Sequence, residues 1–177
     1  MEICYRWIES PTGKLLLAAD ERGLRQLSFA QGRTPPAIDP TWKDGGAPLT
    51  EPVRQLRAFF AGELQHFDLR LKPEGTEFQL RVWNALLEIP YGQTISYGEL
   101  ARRLGNPAAS RAVGLANGSN PIAIIIPCHR VIGSTGKLTG YGGGLENKRL
   151  LLDFERSQLR LAFGGPVRDR PHQGSEM

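Results

Sequence analysis

A thiol and an imidazole stand side by side in the stretch Ile-Ile-Ile-Pro-Cys-His-Arg-Val, which spans residues 124 to 131. A cysteine acts as a nucleophile in its thiolate form, and a free thiol with a pKa near ~8.5 needs a nearby cation, a base or a helix N-terminus to ionise. His129 and Arg130 follow Cys128 directly and offer a base and a cation. The tetrapeptide from residue 127 to residue 130 therefore indicates nucleophilic sulfur chemistry at Cys128.

This spacing alone does not establish a Cys-His hydrolase. Adjacent residues on an extended segment point to opposite faces, so His129 would need a turn or a bridging water to reach the sulfur. A hydrolase would also need an oxyanion hole and a group that orients the imidazole. The acidic candidates after His129 are Glu146, Asp153 and Glu155, and the sequence does not choose between them.

The second cysteine, Cys4, lies in an apolar N-terminal run, which is typical of a structural cysteine. One Cys4–Cys128 bridge would be no framework for a secreted scaffold of this length, so we expect two free thiols. The longest apolar run, from residue 122 to residue 126, is far below the roughly 18 residues that span a bilayer. The first residues carry no signal-peptide pattern, and we expect a cytoplasmic protein.

The formal net charge of +4 is concentrated in one segment. Between residues 91 and 140, five basic side chains face a single acidic one, whereas the rest of the chain is neutral. A local basic excess is typical of a surface that binds a polyanion, although a solvated basic face is also common. The charges concerned are Arg102, Arg103, Arg111, Arg130 and Lys137 against Glu99.

The first third of the chain reads as strands and turns. Apolar-rich runs at residues 3–8, 14–19 and 24–29 are separated by turn sequences, which predicts a β-meander. A loop over residues 31–48 and a helix over residues 51–63 follow. Residues 69–75 look like a short strand and a linker, with a domain boundary near Pro73.

Beyond that boundary, helix start signals recur. Thr76 with Gln79, and Ser96 with Glu99, fit the capping box, and an asparagine at position 106 precedes a proline suited to a first helical position. We expect helices over residues 76–88, 96–104 and 107–117, the last two at helix-turn-helix spacing. A buried strand over residues 122–126, ended by Pro127, a glycine-rich loop over 133–144 and a helix over 145–158 complete the prediction.

Small residues dominate the predicted helix over residues 107–117. Small side chains let a helix backbone approach its neighbour closely. One interpretation is a tight helix–helix contact in the core. The other is insertion into a confined groove, with Arg111 as the single long cation that projects from the helix.

Four motifs occur in order: Arg-Ala-Val-Gly at residues 111–114, Asn-Pro at 120–121, Pro-Cys-His-Arg-Val at 127–131, and Thr-Gly-Tyr-Gly-Gly-Gly-Leu at 139–145. With them the chain resembles the O6-alkylguanine-DNA alkyltransferases, most closely the bacterial stand-alone type. The resemblance is dense over residues 76–158 and holds only in outline over the first 72. It implies an α+β fold, with an N-terminal ribonuclease H-like β-sheet domain with one helix (1–72) and a C-terminal helical, winged-helix/helix-turn-helix-like alkyltransferase domain (75–158). We expect the tail over 159–177 to be disordered.

The resemblance also implies a reaction. A thiolate at Cys128 takes the alkyl group from O6 of guanine, and also from O4 of thymine, in one irreversible transfer that leaves a thioether. His129 is then a water-mediated base, and Glu155 is the carboxylate that orients it. Asn120 holds the turn of the active site through hydrogen bonds. Tyr97 donates its hydroxyl to the guanine ring, although a packing role for this tyrosine is the plain alternative.

Further positions follow from the same resemblance. The target nucleotide is rotated out of the duplex, because its reacting atom is hidden in the stack. The helix with the small residues enters the minor groove, where Arg111 fills the gap. The expected partner is double-stranded DNA with alkylated guanine, bound by a monomer, with cooperative binding on DNA left open. Besides Arg111, the expected contacts to DNA or base are Ala109, Ser110, Ala112, Gly114, Val131 through its carbonyl, Tyr141, Gly142 and Gly143.

No cofactor and no metal are expected. Some members of the family carry a zinc site built from cysteines and histidines, but the first 72 residues here offer only Cys4 and His66. A DNA-damage sensor of this type would lack the acceptor cysteine. A thiol hydrolase or redox enzyme would turn over repeatedly or carry a resolving cysteine, and it would leave the helix-turn-helix without a purpose.

Overall fold

A computed structural model describes residues 1–163 of the chain. The N-terminal part is a four-stranded sheet formed by β1 (Cys4–Ile8), β2 (Leu15–Asp20), β3 (Gly23–Phe29) and β4 (Lys43–Asp44), in the order β3-β2-β1-β4. The first three strands pair antiparallel, and β4 lies parallel to β1. All residues of β2 are buried, so the central strand is covered on both faces. The predicted β-meander is confirmed.

Helix α1 (Thr50–Phe60) joins the two parts of the molecule through aromatic side chains, chiefly Phe59. Phe59 is fully buried. Its ring lies 6.0 Å from the ring of Tyr91 and 5.6 Å from that of Phe154, both in the second half of the chain. The two halves therefore share one apolar core.

The strand expected within residues 69–75 is absent as a strand from the described part of the chain. A single bridge pairs Leu24 with Leu71, supported by the hydrogen bond from Leu24 N–H to the carbonyl of Arg70 at 2.9 Å. Lys72 N–H donates back to Leu24 at 2.8 Å. The segment pairs with the start of β3 too briefly to form a ladder.

The second half is mainly helical, with α2 (Glu77–Leu86), α3 (Tyr97–Arg103), α4 (Ser110–Gly118) and α5 (Leu145–Phe163). The complete capping box of Thr76 and Gln79 is present, and the Ser96 side chain accepts from Glu99 N–H. A short parallel pair, β5 (Ile95–Ser96) with β6 (Val131–Ile132), was not predicted. It holds the start of α3 beside the segment that follows Cys128.

Helix α4 begins later than the sequence predicts. Residues Pro107–Ala109 form a 3-10 turn, and the side chain of Asn106 makes no capping hydrogen bond. The backbone carbonyl of Asn106 accepts from Ala109 N–H at 3.0 Å instead. The connection between α3 and α4 is therefore longer than a two-residue link, although the two helices do pack together.

The predicted strand over residues 122–126 is wrong. Only Ile122 bridges to β3, and the chain then folds into a turn in which Ile126 N–H donates to the Ile122 carbonyl at 3.1 Å. Ile124 adopts a φ of 70°, a left-handed conformation that β-branched residues rarely take. All five residues are buried, and a short buried apolar run cannot be assigned to strand or turn from its pattern alone.

Helix α5 extends to Phe163, five residues past its predicted end. Part of the expected disordered tail, residues 159–163, is therefore helical, and residues 164–177 lie outside the described residues. The buried face of α5 carries two charged residues, Lys148 and Glu155, one on each side of Leu151 and Leu152. Within residues 1–163, no helix is long and apolar enough to cross a bilayer.

Candidate active site

Cys128 lies at the start of a 3-10 turn, Cys128–Arg130, that Pro127 introduces. In this turn His129 does not follow Cys128 on an extended segment, so the two side chains are not forced to point to opposite faces. The thiol is 5% exposed. Burial raises the pKa of Cys128, and interactions with Asn120, Lys148 and Tyr141 oppose that rise without cancelling it. At rest the cysteine is therefore a protonated thiol.

His129 is completely buried and is held by a carboxylate. Its Nε2 lies 2.7 Å from Oε1 of Glu155. Burial lowers the pKa of His129, so the ring is neutral near pH 7. An ionised carboxylate can only accept, so the ring proton lies on Nε2 and Nδ1 carries a lone pair. Nδ1 has no hydrogen-bond partner within residues 1–163, which leaves it free to take a proton.

Glu155 is the centre of a buried polar network. It accepts from Nε and Nη2 of Arg130, at 3.0 and 2.8 Å, and from Gly92 N–H at 3.1 Å, besides its contact with His129. Burial alone would raise the pKa of Glu155, but the hydrogen bonds and charges of His129 and Arg130 outweigh it and lower the pKa to about 2. Of the three acidic candidates left open by the sequence, the structure places Glu155 against the imidazole, whereas Glu146 and Asp153 are exposed.

Two asparagines hold the turn that leads to the thiol. Nδ2 of Asn120 donates to the Ile126 carbonyl at 2.8 Å, and its Oδ1 accepts from Ile122 N–H at 3.0 Å. The buried side chain of Asn117 on α4 reaches the Cys128 carbonyl at 3.4 Å. These contacts tie the segment over residues 120–128 to itself and to α4, as expected for Asn120; the contact of Asn117 was not anticipated.

Two tyrosines and a buried lysine lie together near the thiol. Lys148 is fully buried, and its Nζ donates to the Thr139 carbonyl at 3.0 Å. The ammonium lies 5.8 Å from the ring centre of Tyr97 and 5.9 Å from that of Tyr141. Burial lowers the pKa of Lys148 to about 8, although the nearby Cys128 thiol acts in the opposite direction. Lys148 therefore places a titratable cation beside the acceptor cysteine.

The tyrosine hydroxyls differ in their partners. Tyr97 is half-buried, and its hydroxyl lies 3.4 Å from the Thr139 carbonyl, a long hydrogen bond. The Tyr141 hydroxyl is buried without a partner of ordinary geometry in the described part of the chain. Burial raises the pKa of both phenols, so both remain proton donors at neutral pH.

A cavity of about 500 Å³ opens from Cys128 to the surface. The second half of the chain supplies most of its walls, from α3, α4, the turn before Cys128 and the glycine segment after residue 139. Val131 is completely buried in β6 and does not line it. Among the residues predicted from sequence, those that line the cavity are Tyr97, Gly114, Asn120, Cys128, Tyr141, Gly142 and Gly143.

The outer face of α4 presents Arg111, Ala112 and Leu115 to solvent, while Ala109, Ser110 and Gly114 are half-buried. Leu115 is 73% exposed, whereas Val113 on the same helix is completely buried. Gly114 lies beside Tyr97, because a Cβ there would be 3.7 Å from the tyrosine ring. The small residues of α4 are therefore consistent with both interpretations, because the helix makes a close internal contact and also presents an open face.

The basic excess is smaller at the surface than the sequence count indicates. Arg130 is buried and paired with Glu155, and Arg102 and Arg103 both pair with Glu99. Arg111 forms no ion pair within residues 1–163 and stands at the open face of α4. Among the described residues, Arg111 is therefore an unpaired cation at the open face of α4, while Arg33 is a cation that lines the cavity itself.

Lys148 is the main site residue that sequence reasoning missed. The signal is present: residues 148, 151, 152 and 155 recur at the spacing of one helix face. The apolar leucines between the two charges mark that face as buried, so a lysine and a glutamate on it are unusual.

Within residues 1–163, no group of three histidine, cysteine or acidic side chains is placed to hold a metal ion.

Two protein-family models match the chain. Residues 3–73 match the ribonuclease-like domain of 6-O-methylguanine DNA methyltransferase, and residues 77–157 match the DNA binding domain of the same family. The methylated-DNA--protein-cysteine methyltransferase of Methanosarcina acetivorans is 58% identical over 153 residues, which cover 86% of this chain and 98% of the relative. The protein of that name from Mycobacterium tuberculosis strain H37Rv is 56% identical over 156 residues, 88% of this chain and 94% of the relative.

Solved structures agree. Mycobacterium tuberculosis OGT in complex with DNA superposes with a TM-score of 0.82 at 54% identity, over 88% of this chain and 94% of that one. The M. tuberculosis O6-methylguanine methyltransferase superposes with a TM-score of 0.80 at 51% identity, over 94% and 96% of the two chains. The expected α+β fold, with its ribonuclease-like sheet domain and its helical DNA-binding domain, is confirmed.

Proposed function

Because the chain belongs to the 6-O-methylguanine DNA methyltransferase family, we propose that it repairs DNA by moving the alkyl group from O6 of guanine to its own Cys128. The observation that carries this proposal is the buried thiol at the cavity, next to a neutral His129 whose Nε2 is fixed by Glu155. The relatives are named methylated-DNA--protein-cysteine methyltransferases, which supports the same reaction. The presence of an acceptor cysteine argues against a damage sensor.

The proposed reaction is a displacement at carbon. The Cys128 proton passes to Nδ1 of His129, through water in the cavity, and the thiolate attacks the alkyl carbon. The sulfur–carbon bond forms as the carbon–O6 bond breaks, and the electron pair of that bond stays on the guanine. A proton delivered to the guanine ring, for which Tyr97 is the proposed donor, lets the base leave neutral. The thioether has no route back, so each chain reacts once.

DNA binding is assigned to α4. The open face around Arg111 and Ala112 suits close approach to a minor groove, and minor-groove proteins bend DNA while reading little sequence. Rotation of the nucleotide into the cavity exposes O6 to the thiol, and Arg111 fills the gap in the stack. Ala109, Ser110 and Gly114 accompany it, and the backbone of Gly142 and Gly143, which line the cavity, supplies the proposed base contacts. The solved DNA complex of the M. tuberculosis relative supports a DNA-bound state.

The remaining assignments belong to the same proposal. The chain acts as a monomer with an N-terminal domain over residues 1–72 and an alkyltransferase domain over residues 75–158, and cooperative binding along DNA is left open. O4-alkylthymine is a second proposed substrate, because its alkyl carbon is bound in the same way to an exocyclic oxygen. A substrate in chromosomal DNA favours a cytoplasmic location in a prokaryotic cell.

The test uses the full chain with duplex DNA that contains one O6-methylguanine. Intact-mass and peptide-mass measurements should find one methyl group on Cys128, saturating at one per chain, and none on Cys4 or on a Cys128→Ser variant. Binding of the duplex without change in Cys128 or in the lesion would show a sensor. Release of product with repeated turnover would show a hydrolase.

A further inference from the structure

The cavity has a wall that the catalytic half of the molecule does not supply. The loop of residues 32–34, which follows β3 in the N-terminal half, lines it together with the end of β3 at Leu27, Ser28 and Phe29. Cys128 and Tyr97 line the same cavity. No sequence motif assigns a function to this loop, and the reaction proposed above does not use it.

The loop is fixed to the glycine segment by close backbone contact. Arg33 N–H donates to the Gly142 carbonyl at 2.8 Å. A Cβ added to Gly32 would lie 2.6 Å from the same carbonyl oxygen. Gly32 does not adopt a left-handed φ, so its backbone conformation does not require glycine. Glycine is required at position 32 because the loop approaches the Gly142 carbonyl so closely.

A second contact holds β3 to the same segment. The ring of Phe29 meets the ring of Tyr141 edge-on, with centroids 5.7 Å apart. A Cβ added to Gly143 would lie 2.5 Å from the Phe29 ring. Gly32 and Gly143 therefore let the N-terminal half press against the wall that carries Tyr141.

The size of the cavity gives this wall a use. About 500 Å³ falls within the roughly 300 to 1,000 Å³ of sites that hold drug-sized ligands, which leaves space beyond a guanine with one methyl group. We propose that the loop of residues 32–34 limits the size of the alkyl group that reaches Cys128, so that the N-terminal half sets substrate range. This inference rests on the function proposed above.

Two variants test the loop in opposite directions. Gly32→Ala pushes the loop away from Gly142 and should widen the cavity. Thr34→Phe adds bulk to a residue that lines it and should narrow it. Both leave Cys128, His129 and Tyr97 unchanged, and Gln31→Ala, an exposed neighbour that does not line the cavity, is the matched control.

The measurement is a competition between two duplexes, one with O6-methylguanine and one with O6-benzylguanine. The two adducts on Cys128 differ in mass, so one spectrum gives the benzyl-to-methyl ratio. Pockets discriminate between substrates that differ in the size of an apolar group by about tenfold or more in rate. We expect Gly32→Ala to raise the ratio about tenfold and Thr34→Phe to lower it by a similar factor, with the ratio for Gln31→Ala unchanged.

An unchanged ratio in both cavity variants, with methyl transfer intact, would overturn the inference. Equal loss on both lesions together with weaker DNA binding would overturn it too, because the loop would then be a DNA contact. Wild-type chain that transfers no alkyl group at all would contradict the proposed function instead, so the two failures are distinguishable.

Discussion

At the scale of single residues, the site combines a thiol that burial keeps protonated with two groups that favour its ionisation. His129 can take the proton through Nδ1, and Lys148 adds positive charge. Both side chains are completely buried, so each interaction acts in a medium of low polarity, where charges influence each other more strongly than in water. The groups that favour ionisation of the thiol therefore act on it inside the protein, at the substrate cavity.

Replacing Lys148 with methionine separates reactivity from stability. Without the cation the pKa of Cys128 rises further, and we expect alkyl transfer at pH 7 to slow by about tenfold for each unit of that rise. In the wild type, the gain in rate with pH should flatten above about pH 8, where Lys148 loses its proton. Single-turnover rates between pH 6 and 10 measure both effects, and an unchanged profile in the variant would show that the charge does not act on the thiol.

The same variant should be more stable near neutral pH. The folded-state pKa of Lys148, about 8, lies below the usual value for lysine, so the folded chain binds fewer protons and wild-type stability rises with pH between about 8 and 10.4. We expect Lys148→Met to raise the free energy of unfolding at pH 7 by about 1 to 3 kcal/mol, and the gain to fade above pH 10. Lys14→Met, at an exposed lysine, is the control for thermal unfolding.

At the scale of elements, the sequence predicts regular structure well where local signals are strong and fails where they are not. The meander and the capped helices follow from turn residues and from Thr76 and Ser96. The prediction of a strand over residues 122–126 is wrong because, apart from one bridge to β3, the hydrogen bonds of this run come mainly from the Asn120 side chain and from within the run. Such bonds leave no periodic trace in the sequence. The cavity wall contributed by Gly32 was equally hidden, since it depends on contacts more than 100 positions apart.

Helix α4 has a role that can be measured apart from the chemistry. Arg111→Ala removes the cation from the open face of α4, and we expect slower transfer from O6-methylguanine in duplex DNA. Transfer from free O6-benzylguanine, which needs no DNA, should keep its wild-type rate. Arg57→Ala, in α1, is the matched control. Equal loss on both substrates would place Arg111 in the pocket chemistry and not in DNA binding.

At the scale of the whole molecule, the two halves are assembled around the site. Leu27 in β3 donates to the Pro121 carbonyl and accepts from Ala123 N–H, at 2.9 and 3.0 Å. Strand β3 therefore supports the turn before Cys128 on one side and the glycine segment on the other. The geometry of the acceptor therefore depends on the folding of both halves, although the motifs of the reaction all fall in the second half.

Stability in acid should report the buried network around Glu155. The pKa of Glu155 is lowered to about 2, so its contribution to stability is present above the unfolded value of about 4.3 and is lost as the pH falls toward 2. Glu155→Gln leaves the buried Arg130 without its partner charge, and we expect a loss of about 3 to 5 kcal/mol at pH 7. Urea unfolding between pH 2 and 7 measures this loss, which should shrink as the pH falls.

The matched control for that prediction is Glu99→Gln. Glu99 pairs with Arg102 and Arg103 at the surface of α3, and exposed pairs contribute about 1 kcal/mol or less. A similar small loss in both variants would show that the buried network around Glu155 contributes no more to stability than an exposed pair.

The burial of Cys128 affects how long an unreacted molecule keeps a reactive thiol. A chain that reacts once is a reagent, and any oxidation of its sulfur removes one repair event as surely as a lesion does. Oxidants in solution attack exposed thiolates, whereas the sulfur of Cys128 is enclosed and protonated until a guanine enters the cavity. The fold thus stores a perishable reagent in protected form. The share of chains that carry a thioether becomes a lasting record of the damage that the DNA has received.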